Sequence, residues 1–214
     1  QCHLFDAWAE EFGFELTDKA DSYTPRLDKI EKEFPHLRKL ANDAMNQWKH
    51  NFCIVQFTGG QSPLNPIKNE KGELLPYMNA HYKGQAIIDR LHEKYPDTTV
   101  VHFALANEPG FDNTVRIEVP YLTYHLLAAE AKEIVCIDSS LQHLSTGAND
   151  NITVIWGETR PEHFGYSCNN NVCAQNVRNS QPYFKPLGVS PSIVKMPEPE
   201  EVVVIENEQQ ELGL

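Results

Sequence analysis

The chain has 214 residues, 41% of them hydrophobic, enough for one large domain or one and a half smaller ones. Its 18 Lys and Arg stand against 30 Asp and Glu, and the formal charge of −12 argues against a broad nucleic-acid or anionic-membrane footprint. No apolar run approaches the roughly 20 residues that span a bilayer, and no secretory leader is visible, so the sequence reads as a soluble protein.

The five cysteines form no repeated Cys-x-x-Cys spacing, which predicts reduced thiols and a cytoplasmic location. A start at Gln1 rather than Met is expected of a processed product or a fragment. Near that start, Leu4, Trp8 and Phe12 fall on one face of a short helix closed by Gly13. Residues 27–48 are charge-rich, with Leu27, Ile30, Phe34, Leu37, Leu40, Ala44 and Trp48 at near-helical spacing, and Pro35 should break or restart the helix.

Phe52 to Phe57 is the first strand, and it runs into Thr58-Gly59-Gly60-Gln61-Ser62-Pro63. A strand followed by a Gly-rich loop with hydroxyls lets backbone N–H groups approach a phosphate, although two glycines in a turn ordinarily serve only the turn. Residues 64–75 read as an exposed loop carrying Lys68 and Lys71, solvated surface lysines of which either could reach a diphosphate. A helix is predicted from Met78 to Tyr95, with Tyr82, Ala86, Ile87, Leu91 and Tyr95 on its apolar face and Pro96-Asp97 as its stop. A strand from Thr99 to Leu105 ends at Asn107-Glu108-Pro109-Gly110. Val115 to Ile117 is a short strand, and Tyr121 to Ala131 a helix packed through Leu122, Leu126, Leu127 and Ala131.

The most informative stretch is Ile134 to Gly165. Ile134 to Ile137 is a β-branched run of the kind buried on both faces of a sheet. It stops at Asp138, and Ser139 and Ser140 offer hydroxyls and N–H groups where a helix begins, with His143 about one turn in. Ile152 to Trp156 is a further strand, ending in Gly157-Glu158-Thr159-Arg160-Pro161. Strand and helix alternate throughout, so the predicted fold class is α/β, a Rossmann-like parallel sheet flanked by helices. In such sheets ligands sit at the carboxyl ends of the strands, where both polar loops would lie.

The pattern Asp138-Ser139-Ser140-x-x-His143-Leu144, a short helix, an apolar strand, then Gly157-x-Thr159-x-Pro161 and Phe164-Gly165 resembles the heptosyltransferase-like glycosyltransferases of family 9, which have the GT-B fold. The resemblance covers roughly residues 50–166. It implies that this is the C-terminal, donor-binding half of such an enzyme. Thr58, Gly59, Gly60, Asp138, Ser139, Ser140, His143, Gly157 and Thr159 would then surround the diphosphate of a nucleotide sugar, with Glu108 on the base or ribose. The first loop departs from the family at Ser140, where Gly is more usual, so backbone approach to a phosphate would be less free there.

The resemblance also sets the expected domains. Residues 1–48 would end a missing N-terminal domain and connect it onward, residues 49–166 would bind the nucleotide sugar, and residues 167–214 would form a return segment and acidic tail. It implies no metal and no cofactor, the nucleotide sugar being a substrate. Charge building on the leaving diphosphate would be met by hydroxyls, helix N-termini and basic side chains. Asp138 would bind a ribose or cap the helix, and His143 would face either the diphosphate or the core. The acceptor is unknown, and the family's acceptor-activating carboxylate belongs to the first domain, to be supplied by the full-length chain or a partner. No general base is therefore assigned, and His143 is the one catalytic candidate. The alternative from another class is a non-catalytic nucleotide-sugar-binding or assembly module with the same fold. A Rossmann-like epimerase relative is disfavoured because no strand is followed by Gly-x-Gly-x-x-Gly.

Beyond Tyr166 the periodicity fades. Cys168-Asn169-Asn170-Asn171-Val172-Cys173 reads as a polar loop with reduced thiols rather than a zinc site. Met196 to Leu214 is an acidic tail whose glutamates surround the run Val202 to Ile205, and it reads as a strand on a sheet edge or a disordered end.

Overall fold

In the computed structural model, residues 27–58, 83–104, 110–156, 161–173 and 197–205 are described. Their strands form a six-stranded, wholly parallel sheet in the order β3-β2-β1-β4-β5-β6. The strands are β1 (Phe52–Gln56), β2 (Thr99–Phe103), β3 (Thr114–Ile117), β4 (Ile134–Ile137), β5 (Ile152–Trp156) and β6 (Asn170–Cys173). This is the α/β, Rossmann-like arrangement that the alternating pattern predicts. Among the described residues no helix is long and apolar enough to cross a membrane.

Connection handedness explains how the helices divide between the two faces. Parallel crossovers are right-handed, so a chain that reverses its direction of travel across the sheet must change faces. From β1 the chain steps outward to β2 through α3 (Gly84–Lys94), then to β3; from β3 it returns past β1 to β4 through α4 (Tyr121–Ala128). Accordingly α3 packs on one face through Ile87, Ile88 and Leu91, against Cys53, Val55, Val135 and Ile155. The other face carries Phe52, Ile54, Cys136 and Val154 beneath α4, with α1 (Leu27–Glu33), α2 (Pro35–Gln47) and α5 (Ser140–Ser145) beside it. Strands β1, β4 and β5 alternate between the two clusters and are buried on both sides, as their β-branched composition requires.

Several sequence expectations shift at their edges. Pro35 does restart the helix, at the first position of α2, where its missing N–H costs nothing. The restart changes the phase of the apolar stripe: Ile30, Leu37, Ala41, Met45 and Trp48 are buried, while Phe34 and Leu40 are exposed. Helix α3 is described from Gly84, and the earlier part of its expected span lies outside the described residues. Ala86 faces solvent and Ile88 takes its place on the apolar face. Helix α4 stops at Ala128, and Ala131 is buried beyond its end.

Two expectations are overturned. Asn170 to Cys173 is not a loop but the edge strand β6, paired in parallel with β5 from Thr153↔Asn170 to Trp156↔Cys173. Its stabilisation is polar and therefore invisible to hydrophobic periodicity. Trp156 Nε1 donates to Asn171 Oδ1 at 2.8 Å, and Asn171 Nδ2 donates to the Tyr166 and Asn169 carbonyls. One-turn helix α6 (Pro161–Phe164) precedes this strand. In the described part of the tail, Pro199–Val202 form a one-turn helix, α7, rather than a strand or a disordered end, and residues 206–214 lie outside the described residues. Val202 and Val203 are buried against α3, Arg90 Nε donates to the Val203 carbonyl at 3.1 Å, and Lys83 pairs with Glu198 at 2.6 Å. Of the glutamates that suggested disorder, Glu198 pairs with Lys83 and Glu200 with Arg90, while Glu206, Glu208 and Glu211 lie outside the described residues.

Where β1 ends, Phe57, His102 and Phe111 form an aromatic cluster beneath the start of α3. The His102 ring lies 5.0 Å from Phe111 and 6.5 Å from Phe57, centre to centre. His102 is 1% exposed, and neither ring nitrogen has a hydrogen-bond partner among the described residues. Burial, reinforced by the Arg116 charge, pushes its pKa down to about 4. Above pH ~6.5 the imidazole is neutral in both folded and unfolded chains. Between that value and about 4 only the unfolded chain takes up the proton, so stability falls with falling pH across this window and His102 adds no further loss below it. Denaturant titrations of the wild type are expected to show this loss, with a limiting slope of about 1.4 kcal/mol per pH unit from this one group. His102→Leu should remove that component, and an unchanged profile would contradict the buried neutral ring.

Gly84 fits this cluster only without a side chain, because a Cβ there would lie 2.7 Å from Phe111 Cζ and 2.8 Å from Phe57 Cδ2. Gly84→Ala should therefore destabilise by about 1–3 kcal/mol through overpacking, despite its gain in helix propensity. The denaturation midpoint measures this, and a raised midpoint would show that the rings yield freely.

Candidate functional site at the carboxyl edge of the sheet

The strand order reverses between β1 and β4, the position in an open parallel sheet where two connections leave in opposite directions and a crevice opens. Register places the strand ends level there. Gln56 at the end of β1 pairs with Cys136, and Ile137 at the end of β4 pairs with Ile155, one residue before the end of β5. The turns after β1, β4 and β5 therefore leave from one edge. The segment Asp138-Ser139-Ser140 follows β4, which lies directly between β1 and β5.

Ser139 is the N-cap residue of α5, extended at φ −150° and ψ 173°, yet no side chain caps the helix. Its hydroxyl turns away and donates to Gln56 Oε1 at 2.6 Å, joining the ends of β4 and β1 across the reversal point. Asp138 does not cap the helix either. Its Oδ1 accepts from Gln142 Nε2 at 2.6 Å, one helical turn along, and Gln142 is fully buried. The turn is thus held on both sides by glutamine amides. Ser140, the first residue of α5, remains exposed. The end of α5 is also tied down: Thr146 Oγ1 donates to the Gln142 carbonyl at 2.7 Å and accepts from Asn169 Nδ2 at 3.0 Å.

His143 faces Tyr166 rather than the sheet. Its Nδ1 lies 2.8 Å from the Tyr166 hydroxyl, with the two rings edge to face at 5.6 Å. Thr58, two residues past β1, has a buried Oγ1 without a partner among the described residues. The structure therefore brings Thr58, Asp138, Ser139, Ser140 and His143 to the same edge. Gly59, Gly60, Glu108, Gly157 and Thr159 lie outside the described residues, as do Lys68 and Lys71.

The two buried thiols of the central strands offer no nucleophile. Cys136, just below the turn, is fully buried, and burial with the nearby Asp138 charge pushes its thiol far up. Cys53 is raised to about 12, mainly by burial. Neither supplies a thiolate at neutral pH. Among the described residues no group of three or more His, Cys, Asp or Glu side chains is placed to hold a metal ion.

Three residues of the site were missed in the sequence. Gln56 had a signal, as a polar residue closing an apolar run, and Gln142 had one, four positions after Asp138. Tyr166 had none, because its partner is 23 residues away. Tyr166→Phe, which deletes only the hydroxyl, is expected to cost about 1 kcal/mol in thermal or chemical unfolding. Unaltered stability would show that this contact does not hold His143 in place.

No protein-family model, curated protein or solved structure matches this chain.

Proposed function

We propose that this chain is the donor-binding domain of a glycosyltransferase, taking a nucleotide diphosphate sugar at the carboxyl edge of its sheet. The observation that carries this reading is the placement of the Asp138-Ser139-Ser140 turn, its helix start and Thr58 around the reversal point between β1 and β4. A leaving diphosphate gathers negative charge as the glycosidic bond breaks, and fixed hydroxyl and amide donors stabilise that charge without reorganising. The exposed Ser140 hydroxyl, the uncapped first N–H groups of α5 and the buried Thr58 hydroxyl are donors of this kind. The acceptor and the group that deprotonates it belong, in this reading, to a further domain or a partner.

Calorimetric titration with ADP, GDP, UDP and CDP tests the proposal. Saturable binding of at least one is expected, and its nucleoside alone should bind at least about 10-fold more weakly, since the diphosphate contacts are charge-assisted. Ser140→Glu places a carboxylate on an exposed helix start and should lower diphosphate affinity by about 30-fold or more with little change in stability. Absence of saturable binding for all four diphosphates would remove the reading.

A further inference from the structure

Gln56 closes β1 beside the strand reversal, and its carboxamide is half committed. The carbonyl Oε1 accepts the Ser139 hydroxyl at 2.6 Å, while the two N–H groups of Nε2 have no partner among the described residues. The side chain is only partly buried. The Ser139 hydroxyl thus holds the carboxamide in place beside the reversal point, and it does so instead of capping α5. On the opposite side of the same turn, Gln142 holds Asp138 Oδ1 from the protein interior, which draws one carboxylate oxygen inward.

We propose that Gln56 is a ligand-binding residue whose Nε2 donates to a phosphoryl oxygen of the nucleoside diphosphate, and that Ser139 is a positioning residue acting through it. This inference rests on the donor-binding reading of the same edge and adds to it a contact from β1 that the motif residues do not include. An amide donor suits an anionic oxygen because the bond is charge-assisted and survives partial exposure.

The test uses the full chain and the tightest of the four diphosphates, with that nucleoside as the neutral control and thermal unfolding measured on every variant. Gln56→Leu removes the donor and should weaken diphosphate binding about 10-fold or more. Gln56→Glu keeps an acceptor for Ser139 but sets a carboxylate against the phosphates. It should weaken the diphosphate by about 100-fold while the nucleoside stays within about threefold. Ser139→Ala should cost about 3- to 10-fold, and the double variant Ser139→Ala/Gln56→Leu should bind no worse than Gln56→Leu alone, the sign of one residue acting through another. Full additivity in that cycle would overturn the positioning role. Diphosphate affinities of Gln56→Glu and Gln56→Leu within twofold of wild type would overturn the contact while leaving the donor-binding reading intact. A wild type that binds no diphosphate would overturn both. If Gln56→Leu does not fold, the Gln56→Glu ratio of diphosphate to nucleoside affinity still decides.

Discussion

The pairing of β1 with β4 is the constraint on which the molecule depends. Three register pairs, Ile54↔Ile134, Val55↔Val135 and Gln56↔Cys136, join a unit that winds one way to a unit that winds the other. Because crossovers keep one hand, that single pairing decides which face each helix covers, and so which apolar residues become core. It also sets the reversal point, the place where connections after neighbouring strands diverge in such sheets. Fold and candidate site therefore follow from one adjacency rather than from separate features.

The two edges of the sheet treat polar groups differently. At the amino edge, just before β4, the buried Glu133 carboxylate is satisfied by Lys94 Nζ at 2.7 Å and the Tyr95 hydroxyl at 3.0 Å. Asn51 and Thr98 are likewise joined side chain to side chain. Such closure suits structure, since a buried charge left without partners would cost several kcal/mol. At the carboxyl edge some polar capacity is held back: the Thr58 hydroxyl, one half of the Gln56 amide and the N-terminal backbone of α5. Polar groups that are fixed in place yet incompletely satisfied are what a ligand can complete.

The C-terminal segment shows how charge can mislead when read along a chain. A run of glutamates around four β-branched residues suggests a tail that repels itself into solvent. In the folded protein, Glu198 and Glu200 lie within reach of Lys83 and Arg90, and Val202 and Val203 bury against α3. Those ion pairs are partly exposed and individually weak, so the burial of the two valines is the larger contribution. The acidity of the segment selects the face on which it lands.

What the sequence by itself determined is the α/β class, the main strand and helix positions among the described residues from Phe52 to Trp156, and the Asp138-Ser139-Ser140 turn after β4. Those follow from local rules: β-branched runs too apolar to face water, breaks at Pro35 and Asp138, and alternation that forces parallel pairing. Only the tertiary structure decided that β6 is a strand, that α7 packs on α3, and that Ser139 serves Gln56 rather than its own helix. The physical reason is common to all three. Each depends on a partner in another element, 17 residues away for Asn170 and Thr153 and 83 for Ser139 and Gln56, and such contacts leave no periodicity to read.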